Sequence, residues 1–290
     1  NNMAKHCHLE RLGYQKEDIL LMVHADDAGL SCSENAATIE ALETGIVNSY
    51  SIMVPCPWFW DMAHFAKHHT QYDCGIHLTL TCEWKQYKFG PVLPYSEVPS
   101  LVDNQGFFHA KRELVKKLAK PQEVKKELQA QIDRALAAGI NPTHLDSHMY
   151  TLGLSNELLA VYRELGREYQ LPIFLSDQLL REVGNPDSLQ EGDNLVNAVH
   201  IGNFKAMEST GLDELYTQQL KNLKAGFNVI LIHPAFDNME MKQVCVDHPN
   251  FGSQWRQMDF DFFTDPNTAS LLKERNIKPI TWKEIQKISL

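Results

Sequence analysis

Short apolar segments alternate with segments of helical periodicity along most of this chain, and this alternation limits the folds that it can adopt. Residues 19–24, 47–54 and 74–81 are short and rich in apolar or β-branched side chains, whereas 33–43 and 59–68 carry helical spacing. Such alternation is typical of a parallel sheet covered by helices. The number of units predicts an α/β fold of the (β/α) barrel type, distorted or incomplete.

The same pattern continues to the end of the sequence. It predicts helices at 113–138, 155–169, 212–224, 269–275 and 283–288, and strands at 143–146, 173–175, 228–233 and 279–281. A chain of 290 residues is long enough to bury one large core. We therefore expect a single domain over 19–290, preceded by an N-terminal extension at 1–18.

Composition excludes several classes of partner. The formal net charge of -10 opposes binding to nucleic acid, which depends on basic residues that neutralise phosphates. No apolar run approaches the length of a membrane-spanning helix, so no membrane partner is expected. Six cysteines without a paired framework are expected to be mostly free thiols, which mildly favours a reducing compartment. Because the chain begins at Asn1, export after removal of a signal peptide stays open beside a cytoplasmic location. A homodimer is compatible with the sequence.

Polar residues collect at the carboxyl ends of the predicted strands, where active sites form in parallel α/β folds. They are Asp26, Asp27, His77, His144, Asp146, His148 and His233. A mixed set of histidines and carboxylates suits Zn²⁺ or another divalent ion, and three protein ligands with an open fourth position are typical of a catalytic site. The sequence therefore predicts a metal centre at this edge of the sheet.

The adjacent aspartates are ambiguous by themselves. Successive side chains on an extended strand point in different directions, so one carboxylate is expected to bind metal while the other acts as a base. The alternative is an N-cap pair ahead of the following helix, and it is about as well supported by the pair alone. Gly29 favours the site, because a glycine there permits a sharp turn and a close approach to a ligand.

The histidines have their own alternatives. An isolated His77 is more often a core histidine bonded to a backbone carbonyl, although its apolar neighbours make an unpartnered ring costly. If the fourth strand continues far enough, His144, Asp146 and His148 share one face, which packing alone does not explain. We expect one of these histidines to bind the metal and Asp146 to contact either a ligand or the substrate.

Four segments together resemble the YdjC-like carbohydrate deacetylases, a family that includes chito-oligosaccharide deacetylase. They are HADDAG (24–29), GIHLTL (75–80), THLDSH (143–148) and HPAF (233–236). The resemblance implies a distorted barrel related to the polysaccharide deacetylases, with a divalent ion held by Asp27, His77 and His148. Two departures concern the substrate more than the metal. Family members often have an aromatic residue where this chain has Ala28, and a further histidine where it has Met149 and Tyr150.

The expected reaction is metal-assisted removal of an N-acetyl group from an amino-sugar oligosaccharide. Asp26 is the predicted base and His233 the group that protonates the departing amine, while Zn²⁺ is favoured and Mg²⁺ is the alternative ion. His144 and Asp146 are expected to tune these protons or to bind sugar hydroxyls.

Two further residues, Trp84 and Arg256, are predicted to bind substrate. Trp84 belongs to a long loop at 83–109 whose aromatic rings could stack on sugars or simply anchor the loop. Alternatives to deacetylation are hydrolysis of another ester or phosphoester and a non-catalytic carbohydrate-binding barrel. No Gly-rich phosphate loop is present, which disfavours a phosphate substrate, and a base beside a metal ligand is not needed for binding alone.

Overall fold

A parallel sheet that curls into an open barrel forms the centre of the protein. The computed structural model describes residues 5–289. The sheet has seven strands, in the order β5-β4-β3-β2-β8-β7, with β9 paired to β2. Their bounds are β2 Ile19–Ala28, β3 Ser49–Ile52, β4 Asp73–Leu78, β5 Leu145–Ser147, β7 Ala198–Ile201, β8 Gly226–Ile232 and β9 Lys278–Pro279. The predicted α/β barrel is confirmed, and it stays open between β5 and β7.

Strand β2 is the longest strand and is buried along almost its whole length. It pairs with β8 from Ile19 to Ala25 and with β3 on its other side. Neighbours on both edges and cover on both faces explain why its first residues are a continuous apolar run. The sequence prediction ended this strand at His24, whereas the structure extends it through both aspartates.

Helices cover the sheet and supply the short connections between its strands. They are α1 Cys32–Thr44, α2 Phe59–His68, α3 Arg112–Leu118, α4 Pro121–Ala137, α5 Asn156–Tyr169, α6 Asp177–Glu182, α7 Phe204–Ser209, α8 Leu212–Lys221, α9 Met239–Val244, α10 Ser253–Thr264, α11 Pro266–Glu274 and α12 Trp282–Gln286. Serine side chains cap the N-termini of α1 and α5, where the Ser31 and Ser155 hydroxyls each accept a backbone N–H three residues on.

Two predicted elements differ in the structure. The single helix expected at 113–138 is split into α3 and α4, because Lys120 precedes Pro121 and adopts an extended conformation (φ -80°, ψ 129°). A proline disfavours the helical conformation of the residue before it. The strand expected at 173–175 is reduced to one bridge between Ile173 and Leu145.

Residues 5–18 and the long loop are both packed against the rest of the described chain. Residues Lys5–His6 form β1, which pairs with β6 (Asn194–Leu195), and the Tyr14 hydroxyl donates to Glu284 at 2.9 Å. Within the 83–109 loop, Phe89 and Phe108 are buried. All six cysteines are free, as expected. Among residues 5–289, no helix combines the length and apolar character needed to cross a bilayer.

Candidate metal centre and active site

The carboxyl ends of β2, β4, β5 and β8 open on one cavity of about 610 Å³. Parallel register brings the polar residues to the same level, because His77 on β4 pairs with Asp146 on β5 and Ala25 on β2 pairs with Ile232 on β8. Asp26 and His233 are therefore neighbours one residue further along their strands. The predicted convergence at the strand ends is observed.

A bulge in β2 separates the two aspartates. Ala25 and Ala28 oppose Tyr50 and Ile52 of β3, so β2 has one extra residue over this stretch. Asp27 takes a left-handed conformation with φ 68°. Such a conformation is costly for a residue other than glycine and is held by the surrounding packing. Both carboxylates consequently line the cavity, which a regular strand would not allow.

The N-cap alternative for this pair is wrong, because Ser31 caps α1. Gly29 does adopt a left-handed conformation, with φ +93°. A Cβ atom at Gly29 would lie 3.1 Å from the Met53 carbonyl oxygen, so the close approach that it permits is to the strand beside it.

Three atoms from three strand ends form a nearly equilateral triangle. Asp27 Oδ1 lies 3.2 Å from His77 Nε2 and 3.3 Å from His148 Nδ1, and the two ring nitrogens are 3.3 Å apart. Asp27 Oδ1 is buried and has no hydrogen-bond partner within residues 5–289. Tetrahedral coordination with bonds of roughly 2.0–2.1 Å places ligand atoms about 3.3–3.4 Å apart. The triangle could therefore hold a tetrahedral metal ion with its fourth position facing the cavity.

Each histidine of the triangle has its other ring nitrogen against a carboxylate. His77 Nδ1 lies 2.6 Å from Asp146 Oδ1, and His148 Nε2 lies 3.0 Å from Glu83 Oε1. Carboxylate partners of this kind fix the orientation of metal-binding histidines. Burial disfavours the charged ring of His148, but Glu83 and Asp27 raise its pKa to about 9.

The second oxygen of Asp27 is held by a buried arginine. Arg256 Nη1 donates to Asp27 Oδ2 at 2.9 Å and lies 3.2 Å from Glu34 Oε1. Although burial opposes ionisation, the charges of Arg256 and His148 hold the pKa of Asp27 well below its usual range. Burial raises the pKa of Glu34 well above its usual value. Asp27 is thus an ionised carboxylate whose free oxygen faces the two histidines.

Asp26 is paired with His233 at the end of the neighbouring strand. Asp26 Oδ2 lies 3.4 Å from His233 Nε2, and Asp26 Oδ1 lies 3.2 Å from His24 Nε2. Burial opposes ionisation, yet the charge of His77 and hydrogen bonds from His233 and His24 hold the pKa of Asp26 below its usual value. The His233 backbone N–H donates to Asp259 at 2.9 Å. An ionised carboxylate and an imidazole therefore lie beside the triangle.

Asp146 joins this pair to the triangle through a cluster of histidines. Its Oδ2 lies 2.8 Å from His144 Nε2 and 3.0 Å from His24 Nε2, while its Oδ1 contacts His77. Burial disfavours the charged ring of His24, but hydrogen bonds to Asp146 and Asp26 raise its pKa to about 9. A Cβ atom at Gly75 would overlap the His144 ring, so the glycine makes room for this cluster.

Comparison with known proteins identifies the family. Residues 20–274 match the family model described as YdjC-like protein. The chain belongs to the YdjC-like family. It is 28% identical to a carbohydrate deacetylase of Geobacillus stearothermophilus, over 92% of this chain and 98% of that protein, and 30% identical to one of Thermus thermophilus, over 96% and 97%. A crystal structure from Enterococcus faecalis V583, named as a candidate cellobiose-phosphate cleavage protein, is 26% identical with a TM-score of 0.78, covering 92% of this chain and 99% of that one.

Burial bears on two of the substrate-binding predictions for this YdjC-like chain. His144 is 0% exposed and stacks on Trp282, with ring centroids 5.0 Å apart. It orients Asp146 and does not reach the cavity. Arg256 is 1% exposed, and its guanidinium is bonded to Asp27 and to the Phe251 carbonyl oxygen at 2.6 Å. Its hydrogen bonds orient a predicted metal ligand, and because Arg256 also lines the cavity, its contact with substrate stays a prediction.

The stacking role predicted for Trp84 is also not supported. Its ring is 1% exposed, lies 5.2 Å from the Arg256 guanidinium carbon and packs against His248. No free face is left for a sugar, which favours the anchoring alternative. From the start of the same loop, Glu83 and Lys85 line the cavity instead.

The sequence did not identify two residues of this YdjC-like site, His24 and Glu83, as functional. His24 was assigned to the end of an apolar strand, although its spacing of two from Asp26 would place both side chains on one face of a continuing strand. Glu83 follows β4 by five residues, and no motif or periodicity points to it. Its contact with His148 depends on the path of the chain after β4.

Proposed function

We propose that this protein removes the acetyl group from acetylated amino-sugar oligosaccharides, with one divalent ion held by Asp27, His77 and His148. The observation that carries the proposal is the triangle of three ligand atoms beside the Asp26–His233 pair. The names of the two carbohydrate deacetylase relatives, each aligned over more than nine-tenths of this chain, support the same class of reaction.

Zinc is the ion that the spacing favours. Octahedral coordination with bonds of roughly 2.0–2.1 Å, as for Mg²⁺, places adjacent ligand atoms about 2.9 Å apart. The observed separations of 3.2–3.3 Å are closer to the tetrahedral value. A set of two imidazoles and one carboxylate is also typical of catalytic zinc.

In the proposed reaction, water attacks the acetamide carbonyl carbon, the C–N bond breaks and a C–O bond forms. The chemistry that the bound ion supplies is polarisation of the carbonyl and a lowered pKa of the attacking water. Asp26 is ionised and accepts the proton of the water. His233 lies 3.4 Å from Asp26 and protonates the departing amine. The products are acetate and a free amino sugar.

The polar side of the cavity suits a sugar ring. Lys85, Arg112, Glu113 and Asn250 line it and offer both donors and acceptors. Because sugar hydroxyls lose water on binding, they need such partners to avoid a desolvation penalty. We therefore place the sugar on this side of the metal triangle.

Acetate release separates this proposal from its alternatives. The protein is stripped with a chelator, reloaded with Zn²⁺ or Mg²⁺, and incubated with N-acetylated chito-oligosaccharides, an O-acetylated sugar and a phosphoester. The proposal predicts release of acetate from the amide substrate only when metal is present. Release from the ester or phosphoester alone would support the other hydrolase, and binding without release would support a carbohydrate-binding barrel.

The Asp26→Asn variant tests the base. It should keep the metal, because Asp26 is outside the triangle, and should lose roughly 10²–10⁴-fold in rate. Metal content of the same preparation is the control for the ligands. Near-normal turnover in this variant would contradict the role of Asp26.

A further inference from the structure

One side of the cavity is aliphatic. Leu179 and Val183 from α6 and the residue after it, Ile201 from β7, and Val229 and Leu231 from β8 line this side, which we call the aliphatic wall. Four of the five are only partly buried; Val229 alone is fully covered. Strands β7 and β8, which carry three of these residues, lie at the end of the sheet opposite β5. A well-packed core would cover these side chains, so the space beside them is free for an apolar group.

The aliphatic wall begins directly beside the reacting groups. Leu231 pairs with His24 of β2 and with Ile201 of β7, so these three residues lie at one level of the sheet. His233 follows Leu231 by two residues on the same face of the chain, about 7 Å along the strand direction. A group that extends away from the Asp26–His233 pair toward β7 therefore meets hydrocarbon at once.

A sugar ring does not suit this side. The wall's side chains carry no hydrogen-bonding atoms, and the outer edge of β7 is already bonded to glutamine side chains. Gln178 exchanges hydrogen bonds with the Val199 backbone at 2.9 and 3.2 Å, and Gln219 donates to the Ile201 carbonyl at 2.9 Å. Glu182 of α6 also lines the cavity, but hydroxyl groups placed against the five aliphatic side chains themselves would lose their water without gaining partners.

We propose that the aliphatic wall receives the hydrocarbon part of the acyl group, so that the protein also hydrolyses N-acyl amino sugars whose acyl chain is longer than acetyl. This inference rests on the proposed function, since the sugar stays on the polar side and the carbonyl lies at the metal triangle. The bonds made and broken are those of deacetylation. Water is the only co-reactant, and the products are a longer carboxylate and the same amine.

The first test compares kcat/KM for N-acetyl, N-butyryl and N-hexanoyl forms of one chito-oligosaccharide with the zinc-loaded protein. Burial of each methylene against the wall should raise kcat/KM about fourfold, hence about 15-fold from acetyl to butyryl. A butyryl-to-acetyl ratio above one supports the proposal. A ratio below one overturns it while leaving deacetylation intact.

The second test fills the space beside the aliphatic wall with a larger side chain. Leu179→Phe should lower the butyryl-to-acetyl ratio, whereas Leu136→Phe, the same change at an exposed site on α4, should keep the wild-type ratio. Val183→Phe replaces the first variant if that one does not fold. An unchanged ratio in a folded wall variant contradicts the proposal.

A binding measurement separates this proposal from deacetylation itself. Acetate, butyrate and hexanoate are titrated calorimetrically into the zinc-loaded protein, which requires no turnover. Affinity should rise about fourfold per methylene, and this rise should be lost in the Leu179→Phe variant. Equal affinity for the three carboxylates overturns the proposal that the aliphatic wall binds the acyl chain, whatever the acetate-release assay shows. Graded affinity without release of any acyl group would instead contradict the hydrolase.

Discussion

Replacement of Arg256 by Met tests how much the stability of the folded protein depends on the cation beside the buried Asp27 carboxylate. Arg256 is the cation that contacts both Asp27 and Glu34, and all three side chains are buried. Methionine fills similar space without charge. The variant leaves the Asp27 carboxylate without its buried cation, which costs roughly 3–5 kcal/mol of unfolding free energy when one partner of a buried pair is removed. Loss of the contact between Arg256 and the Trp84 ring adds to that cost.

Glu34→Gln provides the contrast. Burial raises the pKa of Glu34 well above its usual value and so favours its neutral form, which an amide resembles. The amide keeps its shape, and the Asp27–Arg256 pair stays balanced. We expect the unfolding free energy to fall by about 1 kcal/mol or less, as for a group that loses little interaction.

The assay is urea unfolding followed by tryptophan fluorescence, with and without Zn²⁺. In metal-free protein Arg256→Met should unfold far more easily than wild type, whereas bound Zn²⁺ should reduce the difference because it neutralises Asp27 from its other oxygen. Arg181→Met, at a side chain that is 70% exposed, is the matched control and should change stability by less than about 0.5 kcal/mol. A metal-free loss below about 1 kcal/mol for Arg256→Met, or an equal loss for Glu34→Gln, would refute this account of the buried charges.

Three further predictions concern the ligands and the titration of a neighbouring carboxyl. His148→Ala should lose zinc stoichiometry in metal analysis, whereas His144→Ala should retain it, and the reverse result would exchange their assignments. Glu83→Gln should weaken zinc affinity by roughly 10–100-fold in a chelator competition, the usual effect of removing a ligand's carboxylate partner; unchanged affinity would mean that Glu83 does not act through His148. Burial raises the pKa of Asp259 from 3.8 to about 6, so the folded state binds more protons than the unfolded chain, and this stabilising contribution is lost as pH rises through about 6. The stability advantage of wild type over Asp259→Asn should therefore shrink by up to roughly 3 kcal/mol between about pH 4 and 7, and a constant difference across that range would contradict the shift.

The sequence predicted which strand ends meet but not which atoms do. Parallel strands bring their carboxyl ends to one edge, so Asp27, His77 and His148 could be grouped from their positions and from the family resemblance. The buried support of the site could not be predicted in the same way. Arg256 is on α10 and Glu34 on α1, and their meeting behind Asp27 depends on helix packing that no local pattern encodes.

The errors also have physical causes. Aromatic residues in a loop suggest a sugar platform, but burial decides whether a ring is available, and Trp84 is covered by the packing of its own loop and by Arg256. His144 was predicted correctly to share a side with Asp146. The His144 ring lies away from the cavity because Gly75 has no side chain and leaves room for the ring, which contacts Asp146.

The left-handed residue in β2 has a consequence for protein design. In a regular barrel strand, an Asp-Asp dipeptide delivers one carboxylate inward and one outward, so grafting residues 26 and 27 alone would transfer half of the site. The smallest transferable unit is the bulged stretch 25–29 together with the two groups that hold its shape. The Asn35 side chain accepts from the Gly29 N–H at 2.6 Å, and the Met53 N–H donates to the Ala28 carbonyl oxygen at 2.8 Å. A scaffold for this chemistry must therefore be chosen for its ability to accommodate one extra residue at a strand end.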